Sequence, residues 1–517
     1  MYSVITSGAV CGIDSYIVSV EVDTAQGLPG FDMVGFLSSE VKEARERVRV
    51  ALKNVGISIP PLKITVNLSP ANIRKEGSSF DFPIAMGILV SMGYIPEEHV
   101  RNTLLIGELG LDGEVRRVNG ILPIVMQAKK CGYQRCLVPV DNAKEGAFIK
   151  EIEVVGVDTL KKGIEYLSAP LEHCSEVISP TSISLEIYQN HTIDEGLDFS
   201  DINGQEAAKR AVEIAAAGFH NIMLIGPPGS GKTMIAKRIP SILPPLSEEE
   251  SLEVSKIYSV AGMLNAAESI ITKRPFLNPH HTISEYALSG GGRIPKPGVM
   301  SLAHRGVLFL DELPEFKRNA LEIMRQPMED KEIHIARSYG TFSYPANFIL
   351  TAALNPCPCG YYPDFSKCNC RPYEIRRYLN RISGPILDRI DLGVEASRIT
   401  ITDLTKRAKG ESSMLIRSRV MEARERQAKR FQGTKIISNA EIPPNRMHEY
   451  CSLGREEQKL LENIFLTMNL SARAYHKIIK VARTIADLAH EEKINMEHLS
   501  EAVGYRNMDG KYWGDQR

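Results

Sequence analysis

Gly226, Pro227, Pro228, Gly229, Ser230, Gly231, Lys232 and Thr233 stand in the order G-x-x-x-x-G-K-[ST]. Residues of these types at this spacing hold phosphate. Glycines let successive backbone N–H groups curl around the anion, and a helix N-terminus behind them adds a favourable field. Lys232 would reach the β- and γ-phosphates of a nucleotide, and Thr233 would ligate Mg2+. A chance glycine-rich turn is the competing reading. It loses ground because a strand-like run, Asn221–Ile225, precedes the motif and a helix-like run, Met234–Arg238, follows it. Val307–Leu310 is a second apolar run, ending in Asp311 and Glu312. Asp311 would stand near the Mg2+ shell, and Glu312 would polarise an attacking water. A third run, Phe348–Ala353, leads to Asn355, whose carboxamide could orient that water. Ahead of Pro356, Asn355 also reads as a turn residue.

Four of the nine cysteines, Cys357, Cys359, Cys368 and Cys370, are spaced C-x-C-x8-C-x-C. Four thiolates on two short turns can close a tetrahedral structural Zn2+ site. A redox pair and four unligated thiols are the alternatives, and structural zinc is favoured. It would fix a loop carrying Tyr361, Tyr362, Arg371, Arg376 and Arg377. The other five cysteines read as packing residues. His280 and His281 are adjacent and point different ways on regular structure, which suits a structural or nucleotide-communicating role better than ligation. Two segments could touch an anionic polymer. One is glycine-rich, Ser289–Lys296, and offers Arg293 and Lys296. The other, Glu332–Tyr344, reads as a hairpin around Ser-Tyr-Gly, with Lys331 and Arg337 as phosphate contacts. From 406 to 435 there are ten Lys/Arg against three Glu. Such a run either tracks a nucleic-acid backbone or is a solvated face.

These groups need elements to position them. Residues 1–170 alternate strand-like runs (Val18–Val22, Lys63–Leu68, Leu104–Glu108, Cys136–Pro139) with helix-like ones (Ser38 to about Asn54, Phe82–Met92), which predicts an α+β domain. Residues 171–200 read as a linker rich in Ser, Pro and acid. From 201 to 395, short apolar runs predict buried parallel strands of an α/β unit. From 396 to 517 the pattern is helical, with Leu415–Phe431, Glu456–Leu466, Ala472–His490 and Met496–Gly504.

The 517 residues suffice for three or four domains. With 43% hydrophobic and 24% charged residues, wholesale disorder is excluded. Net charge is −1, so any anionic partner must be held by a local patch. The longest apolar stretch, near 84–95, falls short of the ~20 residues that span a bilayer. No export signal is read at the N-terminus, so a cytoplasmic location without membrane contact is expected.

Taken together, these motifs resemble the AAA+ ATPases, and within them the magnesium-chelatase-related branch and its ComM/YifB family. Arg274-Pro-Phe-Leu-Asn-Pro-His-His-Thr282, Gly290-Gly-Gly292, Ser301-Leu-Ala-His-Arg-Gly306 and Ser383-Gly-Pro-Ile-Leu-Asp-Arg-Ile-Asp391 carry the resemblance. It implies an α/β P-loop AAA+ module with a helical lid, ATP and Mg2+ as ligands, and a homo-oligomeric ring of six chains. It assigns Asn355 as sensor 1, Arg389 as an arginine finger and Arg473 as sensor 2. A salt bridge from Arg389 to Asp388 or Asp391 is the competing reading. The resemblance also implies a motor on branched or single-stranded DNA, promoting branch migration during natural transformation. A chelatase-like motor remodelling a protein partner, in metal insertion or chaperoning, is the alternative. Neither an integrin-like metal-binding domain nor an acidic linker follows residue 395 to favour it.

Residues 1–170 resemble the Lon-protease-like fold, related to domain 2 of ribosomal protein S5, through Lys75-Glu-Gly-Ser-Ser79-Phe-Asp-Phe-Pro and Gly107-Glu-Leu-Gly-Leu-Asp-Gly-Glu-Val115. Ser79 falls close to the Lon nucleophile. The lysine that activates such a serine is missing from Val118–Val125, and the first lysine after it is Lys129. A non-proteolytic domain, for assembly or DNA contact, is therefore expected.

Overall fold

The computed structural model describes residues 1–517 except 184–195, 266, 294, 338–339, 399–409, 469 and 514–517. The chain divides into two units. The first contains Met1–Asn190 and two later segments, Glu248–Thr272 and Ala336–Tyr344. Its strands are β1 (Tyr2–Cys11), β2 (Asp14–Gln26), β3 (Gly30–Val34), β4 (Leu62–Ser69), β5 (Thr103–Leu105), β6 (Glu108–Leu109), β7 (Val115–Arg116), β8 (Arg135–Pro139) and β9 (Glu153–Val157). Seven form one mixed sheet in the order β3-β4-β2-β1-β5-β8-β9, and β6 pairs with β7. Alternation of Val18, Val20 and Val22 buries one face of β2. The helix Asp81–Ser91 is buried at every position, as its apolar run Phe82–Val90 requires. The helix expected from Ser38 to Asn54 is two pieces, Ser39–Lys42 and Ala44–Asn54, with Glu43 between them. Within the expected linker, Cys174–Val177 forms a helical turn with Cys174 buried, while 184–195 lie outside the described residues.

The helix Glu248–Ala261 is built into this first unit by polar contacts as well as packing. Gly120 donates to the Ser259 carbonyl (3.0 Å). The Ser259 hydroxyl meets Glu145, whose Oε1 also accepts from the Leu122 amide at 3.1 Å. Ser259 and Glu145 thereby satisfy orphan donors at the start of the helix Ile121–Lys130.

The second unit contains β10 (Ile222–Ile225), β11 (Phe276–Leu277), β12 (Gly290–Gly291), β13 (Lys296–Pro297), β14 (Val307–Leu310), β17 (Ile349–Leu354) and β18 (Leu392–Glu395). The hairpin strands β15 (Glu332–Arg337) and β16 (Gly340–Pro345) each straddle the division of the two units. Five strands form an all-parallel sheet in the order β11-β14-β17-β10-β18. β10, β14 and β17 are fully buried, as expected for central parallel strands. One apolar core joins this sheet's helices to the C-terminal helices, from Ile214 and Ile235 to Val420, Ile478 and Leu499. Because the strands are parallel, every residue that follows a strand lies at one edge of the sheet, where ligands bind in such folds.

Candidate active site

β10 ends at Ile225, and the Gly226 amide donates to the Leu354 carbonyl (3.2 Å). A Cβ at Gly226 would overlap the Ala396 carbonyl oxygen. Gly231 takes the left-handed conformation (φ 85°) and opens the helix Lys232–Ile242. The Lys232 ammonium donates to the Gly226 and Pro227 carbonyls (2.7 and 3.0 Å) and to Oδ1 of Asn355 (3.2 Å). Burial lowers its pKa against the pull of Asp311 and Glu312. The Thr233 hydroxyl donates to Oδ2 of Asp311 (2.7 Å). P-loop, Asp311, Glu312 and Asn355 therefore converge at the edge where β10, β14 and β17 end.

Glu312 is itself left-handed (φ 52°, ψ 47°), and its amide donates to Oδ1 of Asp311 (3.0 Å). For a non-glycine residue that conformation costs about 1–3 kcal/mol, the kind of strain kept at working sites. Oε2 of Glu312 lies 4.0 Å from Nδ1 of His281. The His281 ring packs on His280 (centroids 4.1 Å) and meets Phe316 edge-on (6.4 Å). His280 turns to Thr282 (2.9 Å). The two rings lie against each other rather than pointing different ways as expected from their adjacency, though their polar neighbours differ, and His281 is the one beside the catalytic carboxylate candidate. A cavity of about 630 Å³ opens beside Glu312 and Asn355, walled also by Pro358, Tyr373, Arg377 and Arg381.

Arg389 and Arg473 lie elsewhere. The Arg389 guanidinium pairs with Oε1 of Glu329 (2.6 Å) and donates to the carbonyls of Arg325 (2.9 Å) and Pro385 (2.6 Å). Neither Asp388 nor Asp391 is its partner. Arg473 approaches the same Oε1 of Glu329 at 3.5 Å. The Arg389 carbonyl accepts from the Asn221 side chain (3.0 Å), and Asn221 immediately precedes β10. Both arginines thus gather on Glu329 at the edge where the strands begin. Beneath them Asp391 accepts from the Asn221 amide (2.9 Å) and pairs with Lys477 (2.8 Å) and His220 (3.7 Å). Burial alone would raise the Asp391 pKa, but Lys477 and then His220 hold it well below the usual carboxylate range. Glu329, absent from any sequence motif used above, ties the arginine pair together.

A second residue escaped the motif reading. Gln205, left-handed (φ 62°) before the helix Glu206–Gly218, donates to the Ser230 carbonyl (3.1 Å) and accepts from the Ser397 amide (3.1 Å). It braces the back of the P-loop. The signal was Asn203-Gly204-Gln205 ahead of a helical run.

The sulfurs of Cys357, Cys359, Cys368 and Cys370 all lie within 4.8 Å of one another. Three of the pairs measure 3.3, 3.5 and 3.7 Å. The amides of Gly360 (3.2 Å) and Tyr362 (3.4 Å) donate to the Cys357 sulfur. Of the cysteines expected to pack, Cys136, Cys174 and Cys451 are buried, whereas Cys11 and Cys131 are exposed.

The cationic candidates disperse. Lys296 is exposed on β13, and Arg293 lies in the turn that joins β12 to it, whose Ile294 is outside the described residues. A Cβ at Gly290 would overlap the Lys296 carbonyl, so glycine is required for this tight ribbon. Lys331 turns inward, its charge facing Glu441 and Asp391, and burial lowers its pKa. Arg337 ends β15 and donates to the Ala336 carbonyl (2.9 Å); Ser338 and Tyr339 of the expected hairpin turn are outside the described residues. The segment Ala336–Tyr344 belongs to the first unit, where a Cβ at Gly12 would lie 3.3 Å from the Phe342 ring. Part of the basic run is turned inward, while Lys429 and Lys435 are exposed. In its helix Ser413–Arg430, Arg419 pairs with Glu213 and Glu411, Arg430 with Asp487, and Arg417 donates to the Ser241 carbonyl. These arginines brace the second unit's own core. Lys406, Arg407 and Lys409 are outside the described residues.

In the first unit, Asp81 of the Gly-Ser-Ser-Phe-Asp string receives Arg47 on both oxygens (2.6 and 2.9 Å) and is fully buried. The motif thus has a packing role. Ser79 is half-buried, and its carbonyl accepts from the Gly107 amide (2.9 Å). Among the described residues no lysine or histidine is bonded to its hydroxyl. Lys129 instead pairs with Glu151 (2.9 Å). Among the described residues no helix is long and apolar enough to cross a membrane.

Comparison with known proteins agrees with this geometry. Profiles of the magnesium chelatase families match in three blocks: "Subunit ChlI of Mg-chelatase" at 20–142, "Magnesium chelatase, subunit ChlI" at 198–404 and "Magnesium chelatase, subunit ChlI C-terminal" at 410–506. The chain is 42% identical over 511 residues to the uncharacterized protein YifB of Escherichia coli, covering 98% of this chain and 97% of that one. It is 41% identical over 510 residues to the competence protein ComM of Haemophilus influenzae, again covering 98% and 97%. A shorter stretch of 131 residues is 31% identical to Lon protease 2 of Bacillus subtilis, covering 25% of this chain and 23% of that protein. With a P-loop on a five-stranded parallel sheet and relatives matching end to end, the chain belongs to the ComM/YifB-like family of magnesium-chelatase-related AAA+ proteins.

Proposed function

We propose that this protein is an ATP-driven ring motor on DNA, moving branch points or translocating along the strand, and that its ring has six chains. The observation that carries the motor reading is the separation of the site into two halves. The phosphate half, Gly226 to Thr233 with Asp311, Glu312 and Asn355, sits where the strands end. The arginine half, Arg389 and Arg473 on Glu329, sits where they begin. One chain's arginines cannot serve its own nucleotide, so they act on that of the next chain. Thr233 and Asp311 would hold Mg2+, which supplies positive charge beside the β- and γ-phosphates. Lys232 would leave its backbone carbonyls for the phosphate oxygens. Glu312 polarises the attacking water, Asn355 orients it, and the neighbour's arginines offset the charge that develops on the γ-oxygens.

The DNA reading draws on the relative named a competence protein and on the exposed Lys296 with Arg293 in the glycine ribbon. Lys331 and Arg337 are weaker contributors, given their inward and backbone-bonded settings. The first unit serves as a non-proteolytic Lon-protease-like domain, consistent with Ser79 lacking a base. The four cysteines carry structural zinc. A branch-migration assay on four-way junctions tests the whole reading. Lys232→Ala should abolish nucleotide binding and activity, and Glu312→Gln should bind ATP without turnover. Hydrolysis that ignores every DNA structure, with ATP-dependent release of a bound protein instead, would favour the remodelling motor.

A further inference from the structure

The four-cysteine loop is joined to the phosphate site in three ways. Cys357 stands two residues after Asn355, whose side chain accepts from Lys232 at 3.2 Å. Gly360, left-handed at φ 84°, lies so close to Pro228 of the P-loop that a Cβ there would overlap the proline ring. Pro358 lines the cavity beside Glu312, and Tyr373 and Arg377 of the following helix, Pro372–Leu379, line it as well.

Tyr362 meets Phe365 and Tyr512 edge-on (5.9 and 6.2 Å), but the tip of the loop is open to solvent. From Pro363 to Lys367 every residue is exposed, and Phe365 is 76% exposed. An exposed excursion without an apolar core needs a covalent or metal staple to keep one conformation. The sulfurs supply the geometry of a metal rather than of a disulfide. A disulfide needs ~2.05 Å between sulfurs. Tetrahedral thiolates at ~2.3 Å from Zn2+ lie ~3.8 Å apart. The pairs at 3.3–3.7 Å approach the second value. Amides donated to Cys357 from Gly360 and Tyr362 are the bonds that stabilise a metal-bound thiolate.

We propose that one Zn2+ on these four thiolates pins the nucleotide site, holding Pro228 from above and Asn355 from the side. This rests on the nucleotide-binding reading of the P-loop. The zinc is therefore a setting element of the ATPase rather than a distant clip. Removing it frees the loop, and with it the P-loop proline and the water-orienting carboxamide.

The test uses the full-length chain, with bound metal measured by elemental analysis. Hydrogen exchange is followed in 226–233 and 357–379 before and after stripping with a chelator under reducing conditions. One zinc per chain is expected. Stripping should speed exchange in both segments by about tenfold or more, while the strands of the first unit are unchanged, and added Zn2+ should reverse it. Gly360→Ala should keep its zinc yet weaken binding of a fluorescent ATP analogue by about tenfold. Absence of zinc with four titratable thiols overturns the metal. Zinc whose loss speeds exchange in 357–379 but not in 226–233 overturns the pin. The exchange readout needs no hydrolysis, so a chain that binds zinc and responds to its loss but takes no nucleotide would refute the ATPase reading and leave this inference standing.

Discussion

Replacing Arg389 by alanine tests whether catalysis is shared between neighbouring chains. Arg389 is bonded at Asn221, just before β10, and Gly226 follows the far end of that strand. Five residues at ~3.3 Å each put those levels roughly 16 Å apart. An extended arginine side chain covers less than half of that. The substitution removes two donors to backbone carbonyls and one partner of Glu329. Glu329 is 46% exposed and keeps Arg473, so its loss is screened. The carbonyl bonds set the stability cost at about 2–4 kcal/mol, which a unit of ordinary stability survives. Turnover should fall by about 10³-fold or more while ATP affinity changes little, because the lost charge acts on the transition state. Mixing tells a shared site from a damaged fold. Arg389→Ala chains keep a phosphate half, and Lys232→Ala chains keep an arginine half. In rings assembled from equal amounts of both, half of the phosphate halves are intact and half of their neighbours supply arginine. About a quarter of wild-type turnover per chain should return. A mixture no more active than its two parents, with ring formation verified, would refute the shared site.

Other outcomes follow from the same geometry. His281→Ala should lower kcat by about 2- to 5-fold without changing the KM for ATP, because a histidine 4.0 Å from Glu312 acts weakly and on the carboxylate's position; a rise in KM alone would contradict that role. Lys296→Ala should weaken junction binding evenly across sequences and reduce the slope of log affinity against log salt by about one, read by titration at several salt concentrations. Asp391→Asn should cost about 3–5 kcal/mol at neutral pH by leaving buried Lys477 without its partner. Burial pulls the Lys477 pKa to about 8 despite that partner, so the pair is charged at neutral pH. The folded-state pKa of Asp391 is depressed, so its contribution is present above the unfolded value of ~3.9 and is lost as pH falls below it. Urea unfolding from pH 7 to pH 3 should show the gap between wild type and variant beginning to narrow at the acid end, because its full loss requires the pH to fall through the depressed folded-state value.

Parts of the site that depend on local order could be read from residue types alone. The P-loop needs a strand, glycines and a helix in succession, and all three occupy adjacent residues. Asp311 and Glu312 close a run of four apolar residues, and that run is β14. The cysteines meet because a short loop brings them together. What depended on distant partners was not readable. The charge count over 406–435 could not show that Arg419 and Arg430 have Glu213 and Asp487 beside them. Glu248–Ala261 lies in sequence between the P-loop helix and β14, yet its Ser259 serves a helix of the first unit. A polar residue's partner 137 positions away leaves no periodic trace.

The arginines show where one further local inference would have sufficed. Motif spacing says which residue types meet a triphosphate. It does not say whose triphosphate. In a parallel sheet order along the chain fixes the edge, since groups after a strand and groups before a strand occupy opposite edges. Gly226, Asp311 and Asn355 each follow a strand. Arg389 precedes one, β18, whose Leu392 pairs with Ile222 at the start of β10. Leu-Gly-Val-Glu is four residues long and contains a glycine, too short for alternation to show and too weak in strand propensity to stand out. Without β18 the position of Arg389 had no edge to be assigned to. With it, Arg389 is assigned to the edge opposite the P-loop, and Arg473 goes with it because both guanidinium groups meet the same oxygen of Glu329; the proposed action on a neighbouring chain is built on that placement.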